Sequence, residues 1–182
     1  MIESIQLPLH QLHKAHEMIK TIIGKPSVPV TKNSGGKFHP LEDEYLQFGI
    51  RHPDWFDVTR DCSLYRFVGT IPPRALLAGY INEDIETITQ SGFFMYKPGS
   101  YMGWHTNIND PGVRVYITYS STGDSFFRYM SDGKIHTSYD EPGITIRKFN
   151  TEEKNPLWHC VGSNCLRISI GFKVNKRNIG EN

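Results

Sequence analysis

Beyond Gly92 the chain becomes a ladder of short extended runs, and no other feature restricts its fold as much. Seven runs follow one another, over residues 93–97, 113–120, 125–130, 134–139, 144–149, 157–161 and 166–174. Between them lie Lys97-Pro98-Gly99, Asp110-Pro111-Gly112, Thr122-Gly123-Asp124, Ser131-Asp132-Gly133, Glu141-Pro142-Gly143 and Gly162-Ser163-Asn164. These are turn-forming combinations, because glycine supplies positive φ and proline or aspartate fixes the approach. Short strands at such spacing predict an antiparallel sandwich or barrel.

The first ninety residues read differently. Leu9, Leu12, Ala15, Ile19, Ile22 and Ile23 recur at helical spacing, and Gly24 with Pro26 supplies a stop, so Leu9–Ile23 is expected to be an amphipathic helix. His13 and His16 belong to its polar face. Residues 26–44 are rich in Pro, Gly, Ser and Lys and predict a loop, with Gly35 and Gly36 either a lid or a plain surface turn. Residues 46–50 and 64–68 read as short strands, and Pro72-Pro73 opens a second short helix through Ile81. The fold class expected is mainly β with flanking helices (α+β). A single domain over 1–182 follows, in which 1–90 is a helical or mixed support region and 91–175 is the β core.

Composition removes several classes of function. Twenty Lys+Arg against nineteen Asp+Glu leave no bulk charge to steer the chain onto nucleic acid. No apolar run approaches the roughly 18 residues of a spanning helix. Met1 to Gln6 lack a basic region followed by an apolar stretch, so no signal peptide is expected. Cys62, Cys160 and Cys165 are an odd set without framework spacing, which fits a reducing, cytoplasmic setting and buried structural thiols. A zinc site at His159, Cys160 and Cys165 is disfavoured, because adjacent strand residues point to opposite faces.

The residues that carry chemistry are His105, Asn107, His159, Arg167 and Ser169. In an extended segment His105 and Asn107 share a face, and a barrel can return His159 beside them. Two imidazoles and one oxygen ligand on one side of an ion leave positions open for substrate and dioxygen. Along the last run Leu166, Ile168, Ile170 and Phe172 form one face, and Arg167, Ser169 and Gly171 the other. An arginine facing a barrel interior requires a partner, and a dicarboxylate matches its fork. Along 113–120, Arg114, Tyr116 and Thr118 are the polar set that faces the same pocket. Trp104 and Trp158 each precede a candidate ligand, so they should face away from the ion and pack between sheet and helix.

Tyr96-Lys97-Pro98-Gly99-Ser100-Tyr101, His105-x-Asn107, Arg114-Val115-Tyr116-Ile117, Trp158-His159-Cys160-Val161 and Arg167-Ile168-Ser169 together resemble the Fe(II)/2-oxoglutarate-dependent oxygenases, most closely their prolyl-hydroxylase-like branch. The resemblance spans roughly residues 90–175. It implies a double-stranded β-helix (jelly roll) with helices on its major sheet, Fe(II) held by His105 and His159, and 2-oxoglutarate and dioxygen as co-substrates. It also implies that Arg167 binds the distal carboxylate, with Ser169 and Tyr96 assisting; strand alternation adds Tyr116 to the same cofactor site. No catalytic side chain beyond the metal centre is implied.

Two departures from the family pattern bear on activity. The family carries His-x-Asp or His-x-Glu, and this chain carries His-x-Asn, so Asn107, Asp110 or water completes the metal sphere. Arg167 follows His159 by eight positions, fewer than is usual, and a tight turn at Gly162-Ser163-Asn164 would absorb the difference. The function expected is a dioxygenase that hydroxylates an unidentified small molecule or protein side chain. The alternative is an impaired or non-catalytic cupin-like jelly roll that binds an acidic small molecule.

Overall fold

A computed structural model describes residues 2–6, 8–32, 36–53, 62–71 and 88–174. Among them the chain forms β1 (Glu3–Ile5), α1 (Leu9–Ile23), β2 (Ser27–Pro29), α2 (Asp43–Arg51), β3 (Tyr65–Phe67), β4 (Ile88–Tyr96), β5 (Ser100–His105), β6 (Gly112–Ser120), β7 (Ser125–Ser131), β8 (Lys134–Tyr139), β9 (Gly143–Thr151), β10 (His159–Ser163) and β11 (Arg167–Val174). A seven-stranded sheet has the order β1-β9-β6-β11-β4-β3-β2, and a four-stranded sheet the order β5-β10-β7-β8. Every pairing is antiparallel. From β4 to β11 the chain crosses repeatedly between the two sheets, and only the β7–β8 hairpin stays within one. This is a jelly roll, mainly β with flanking helices. No helix among the described residues is long and apolar enough to cross a membrane.

Strand alternation divides the interior into layers. On the large sheet Val115, Ile117, Ile146, Ile168, Ile170 and Phe172 turn outward and pack on Ile19 and Ile22 of α1. Burying apolar area of this kind stabilises by about 25 cal/mol per Å². The intervening residues point between the sheets, where Tyr96, Phe127, Phe149 and Val161 form a second cluster. A third cluster lies on the far face of the small sheet, where Trp104, Trp158 and Cys160 meet Tyr45 and Leu46 of α2. Both tryptophans therefore face away from their histidine neighbours. Cys62, Cys160 and Cys165 are buried thiols outside any disulfide.

Three expectations are corrected. Residues 46–50 belong to helix α2. Leu46 is fully buried while Phe48 is 39% exposed, which breaks the period-two pattern a strand would need. Asp43 and Glu44 in the first turn and Arg51 in the last also match the helix dipole. That helix covers the small sheet, so of the two described helices α1 alone lies on the large one. Gly162 and Ser163 are strand residues rather than a turn. Gly162 is there for closeness, since a Cβ would come within 2.5 Å of the Phe126 ring. Of the remaining expectations, the second helix over 72–81 and the loop residues Asn33, Ser34 and Gly35 fall outside the described residues.

Candidate metal and co-substrate site

His105 and His159 are directly paired across β5 and β10. Opposite residues in an antiparallel pair project from the same face, so both rings enter the space between the sheets. The ring centroids are 4.1 Å apart. The pairing follows from a β-bulge: His105 opposes His159 and Met102 opposes Val161, so Gly103 and Trp104 lie against Cys160 alone. This bulge also gives β5 buried residues on both faces, which hides its strand periodicity.

The two rings are held alike. Nδ1 of His105 lies 2.7 Å from the Gly103 carbonyl, and Nδ1 of His159 lies 2.9 Å from the Leu157 carbonyl. A carbonyl only accepts, so each Nδ1 carries the proton and each Nε2 keeps its lone pair, as a metal ligand requires. Burial pushes the His105 pKa down to about 4, against the raising effect of the Gly103 bond. Burial also drives His159 well below its ordinary value, helped by His105. Both imidazoles are therefore neutral at pH 7. Phe127 stacks on His159 at 5.1 Å and 17°, fixing the ring plane.

Asn107 lies just past the end of β5, not in it, yet its Nδ2 is 3.5 Å from His159 Nε2. Burial raises the pKa of the Tyr116 phenol, which lines the same cavity. Rotating the amide by half a turn would present Oδ1 where Nδ2 now lies. Asp110 is engaged elsewhere: its carboxylate bonds Arg114 Nη2 at 2.7 Å and also Lys173 Nζ. Among the described residues no third His, Cys, Asp or Glu joins the two imidazoles.

The rings open into a cavity of about 260 Å³ whose lining includes Tyr96, Asn107, Tyr116 and Ser169. Gly171 also lines it, and a Cβ there would come within 3.0 Å of the Tyr116 ring. Arg167 continues the row formed by Gly171 and Ser169. It is 1% exposed, with its guanidinium 5.0 Å from the Tyr96 ring centroid. Its Nε donates to Asp140 Oδ2 at 2.8 Å and its Nη2 to Thr118 Oγ1 at 3.2 Å, while Nη1 is buried without a hydrogen-bond partner among the described residues.

Asp140 and Arg147 did not emerge from the sequence. Arg147 Nη1 takes the other Asp140 oxygen at 2.5 Å, and Ser125 Oγ donates to Asp140 Oδ2 at 2.6 Å. Burial alone would raise the Asp140 pKa, but Arg167 and Arg147 together hold it down at about 2. The available signal was alternation in 144–149, which puts Arg147 on the inward face with Phe149. An inward arginine calls for an acid, by the same argument applied to Arg167.

No family model matches the sequence, and no curated protein does. Solved structures do resemble it. A Pseudomonas putida prolyl-4-hydroxylase is 16% identical, with 97% of this chain and 92% of that one covered and a TM-score of 0.50. An oxidoreductase of the 2OG-Fe(II) oxygenase family from Burkholderia pseudomallei is 13% identical, covers 96% and 86%, and has a TM-score of 0.49. A Trichoplax adhaerens prolyl hydroxylase, solved with a peptide of the hypoxia inducible factor oxygen degradation domain, is 10% identical, covers 95% and 81%, and has a TM-score of 0.46. At 16% identity the likeness to the Pseudomonas putida structure shows the fold alone.

Proposed function

We propose that the protein is a non-haem iron, 2-oxoglutarate-dependent oxygenase that hydroxylates a small molecule or protein side chain. The observation that carries this reading is the combination of two neutral imidazoles, each protonated at Nδ1 so that Nε2 keeps its lone pair, and a buried arginine whose Nη1 has no partner among the described residues. The donor set fits Fe(II): His105 and His159 would hold the ion through Nε2, and Asn107 through its amide oxygen. We further read residues 1–182 as one domain, with 1–90 supporting a core at 91–175.

When bound, the iron supplies the oxidising step in which 2-oxoglutarate, dioxygen and a C–H group become succinate, carbon dioxide and an alcohol. The chain's own residues orient and exclude. Arg167 Nη1 donates to the distal carboxylate of 2-oxoglutarate. Ser169 adds a hydroxyl donor, and Tyr96 and Tyr116 wall the co-substrate. Phe127 and Phe149 keep water from the imidazoles, lying 5.1 and 5.9 Å from the His159 ring.

Asn107 favours a second reading. A neutral amide binds Fe(II) more weakly than a carboxylate and leaves the centre one charge more positive. On this reading the protein is a jelly roll that binds an acidic small molecule and turns over slowly or not at all. Succinate release from 2-oxoglutarate with Fe(II) separates the two. Turnover by the native chain, abolished in His159→Ala, supports the oxygenase. Turnover seen only in Asn107→Asp supports the binding protein, and turnover in neither refutes the oxygenase reading.

A further inference from the structure

Arg147, Asp140 and Arg167 form a buried chain of two guanidiniums around one carboxylate. Arg147 and Arg167 are each 1% exposed and Asp140 is 4% exposed. Each Asp140 oxygen faces a different arginine, Oδ1 to Arg147 Nη1 and Oδ2 to Arg167 Nε. The formal sum is one positive charge in excess, held where water cannot solvate it. A buried excess charge is costly unless a counter-ion reaches it. The two arginines are not equivalent. Arg147 is saturated by β8, donating from Nε to Ser138 Oγ and from Nη2 to the Ser138 and Tyr139 carbonyls, each at 3.0 Å. Arg167 keeps Nη1 unpartnered among the described residues.

We propose that Arg147 is a specificity-determining positioning residue of the co-substrate site. It touches neither the cavity nor the imidazoles. By occupying one oxygen of Asp140, it prevents that carboxylate from neutralising Arg167, and the excess charge appears at Nη1. The site therefore selects 2-oxo acids that end in a second carboxylate over those that end in a methyl group. Without Arg147, Asp140 and Arg167 would be a closed neutral pair. This inference rests on the reading of Arg167 as the co-substrate's partner.

The test compares binding of 2-oxoglutarate and 2-oxopentanoate to the Mn(II)-loaded full chain by calorimetry. The two acids share a five-carbon skeleton and differ only in the distal carboxylate. Arg147→Gln is expected to weaken 2-oxoglutarate by about tenfold or more, the scale of one charge-assisted hydrogen bond, and to leave 2-oxopentanoate unchanged. Arg147→Lys keeps the charge and is expected to retain the preference. Arg147→Gln combined with Asp140→Asn keeps the net charge of the native trio and returns the excess charge to Arg167; the preference should come back. Mn(II) affinity is followed in every variant, because the Arg147 guanidinium lies 5.8 Å from the Phe127 ring that stacks on His159. Equal weakening of both acids, or a double variant that stays indifferent, overturns the proposal and leaves Arg147 structural. Failure of the underlying reading looks different: the native chain would then not prefer 2-oxoglutarate, or Arg167→Ala would keep the preference.

Discussion

Acidification should destabilise the metal-free protein well before its carboxylates titrate. His105 has an ordinary pKa of 6.5 and is held at about 4 in the fold, chiefly by burial. Between those values the unfolded chain binds a proton that the folded chain refuses, so stability falls as pH falls. The contribution is fully present above about pH 6.5 and disappears progressively toward pH 4. A gap of about 2.5 units at about 1.4 kcal/mol each amounts to about 3 kcal/mol. His159, shifted the same way, steepens the slope. The assay is urea unfolding of metal-free protein at intervals from pH 7.5 to 4.5, for the native chain and for His105→Gln. The native chain should lose roughly 2–3 kcal/mol more than the variant over that span. Equal slopes for the two proteins would refute the argument that the His105 ring is buried in its neutral form.

Three further outcomes follow from packing and charge. Leu46→Ala should cost about 2–5 kcal/mol, whereas Phe48→Ala, at a 39% exposed position, should stay within about 0.5 kcal/mol; comparable losses in denaturant melts would contradict the helical phase of α2. Asp140→Ala strands two buried guanidiniums and should cost about 3–5 kcal/mol by urea unfolding. In the native chain the Asp140 contribution is present above about pH 4 and lost as pH falls toward 2, so a flat profile there would exclude the proposed pairing.

The layers of the fold were legible because they depend on period-two patterning alone. Ile168, Ile170 and Phe172 against Arg167, Ser169 and Gly171 put the right residues on each face of β11, and the Val115 and Tyr116 faces of β6 follow the same rule. What patterning could not reveal is whatever breaks it. Leu46 and Ile50 lie four apart, a spacing that satisfies helix and strand alike, and the exposure of Phe48 is a tertiary fact. Gly162 carries the composition of a turn but answers to the ring of Phe126 across the strand. The site shows the same division. His105 and His159 were visible as residue types, and so was the inward face of Arg167. The partition of Asp140 between two arginines was not, because it depends on where the end of β8 lands beside β9 and β11.

The direct opposition of His105 and His159 has a consequence for how such a chain can vary. Their separation is set by one local register between neighbouring strands, not by the fifty-three residues strung between them. Hairpins in that interval could lengthen, shorten or change their tips without altering the span between the two nitrogens. A slip of one residue between β5 and β10 would instead turn one ring out of the cavity altogether. The centre is thus tolerant of remodelling across most of its length and intolerant at a single seam.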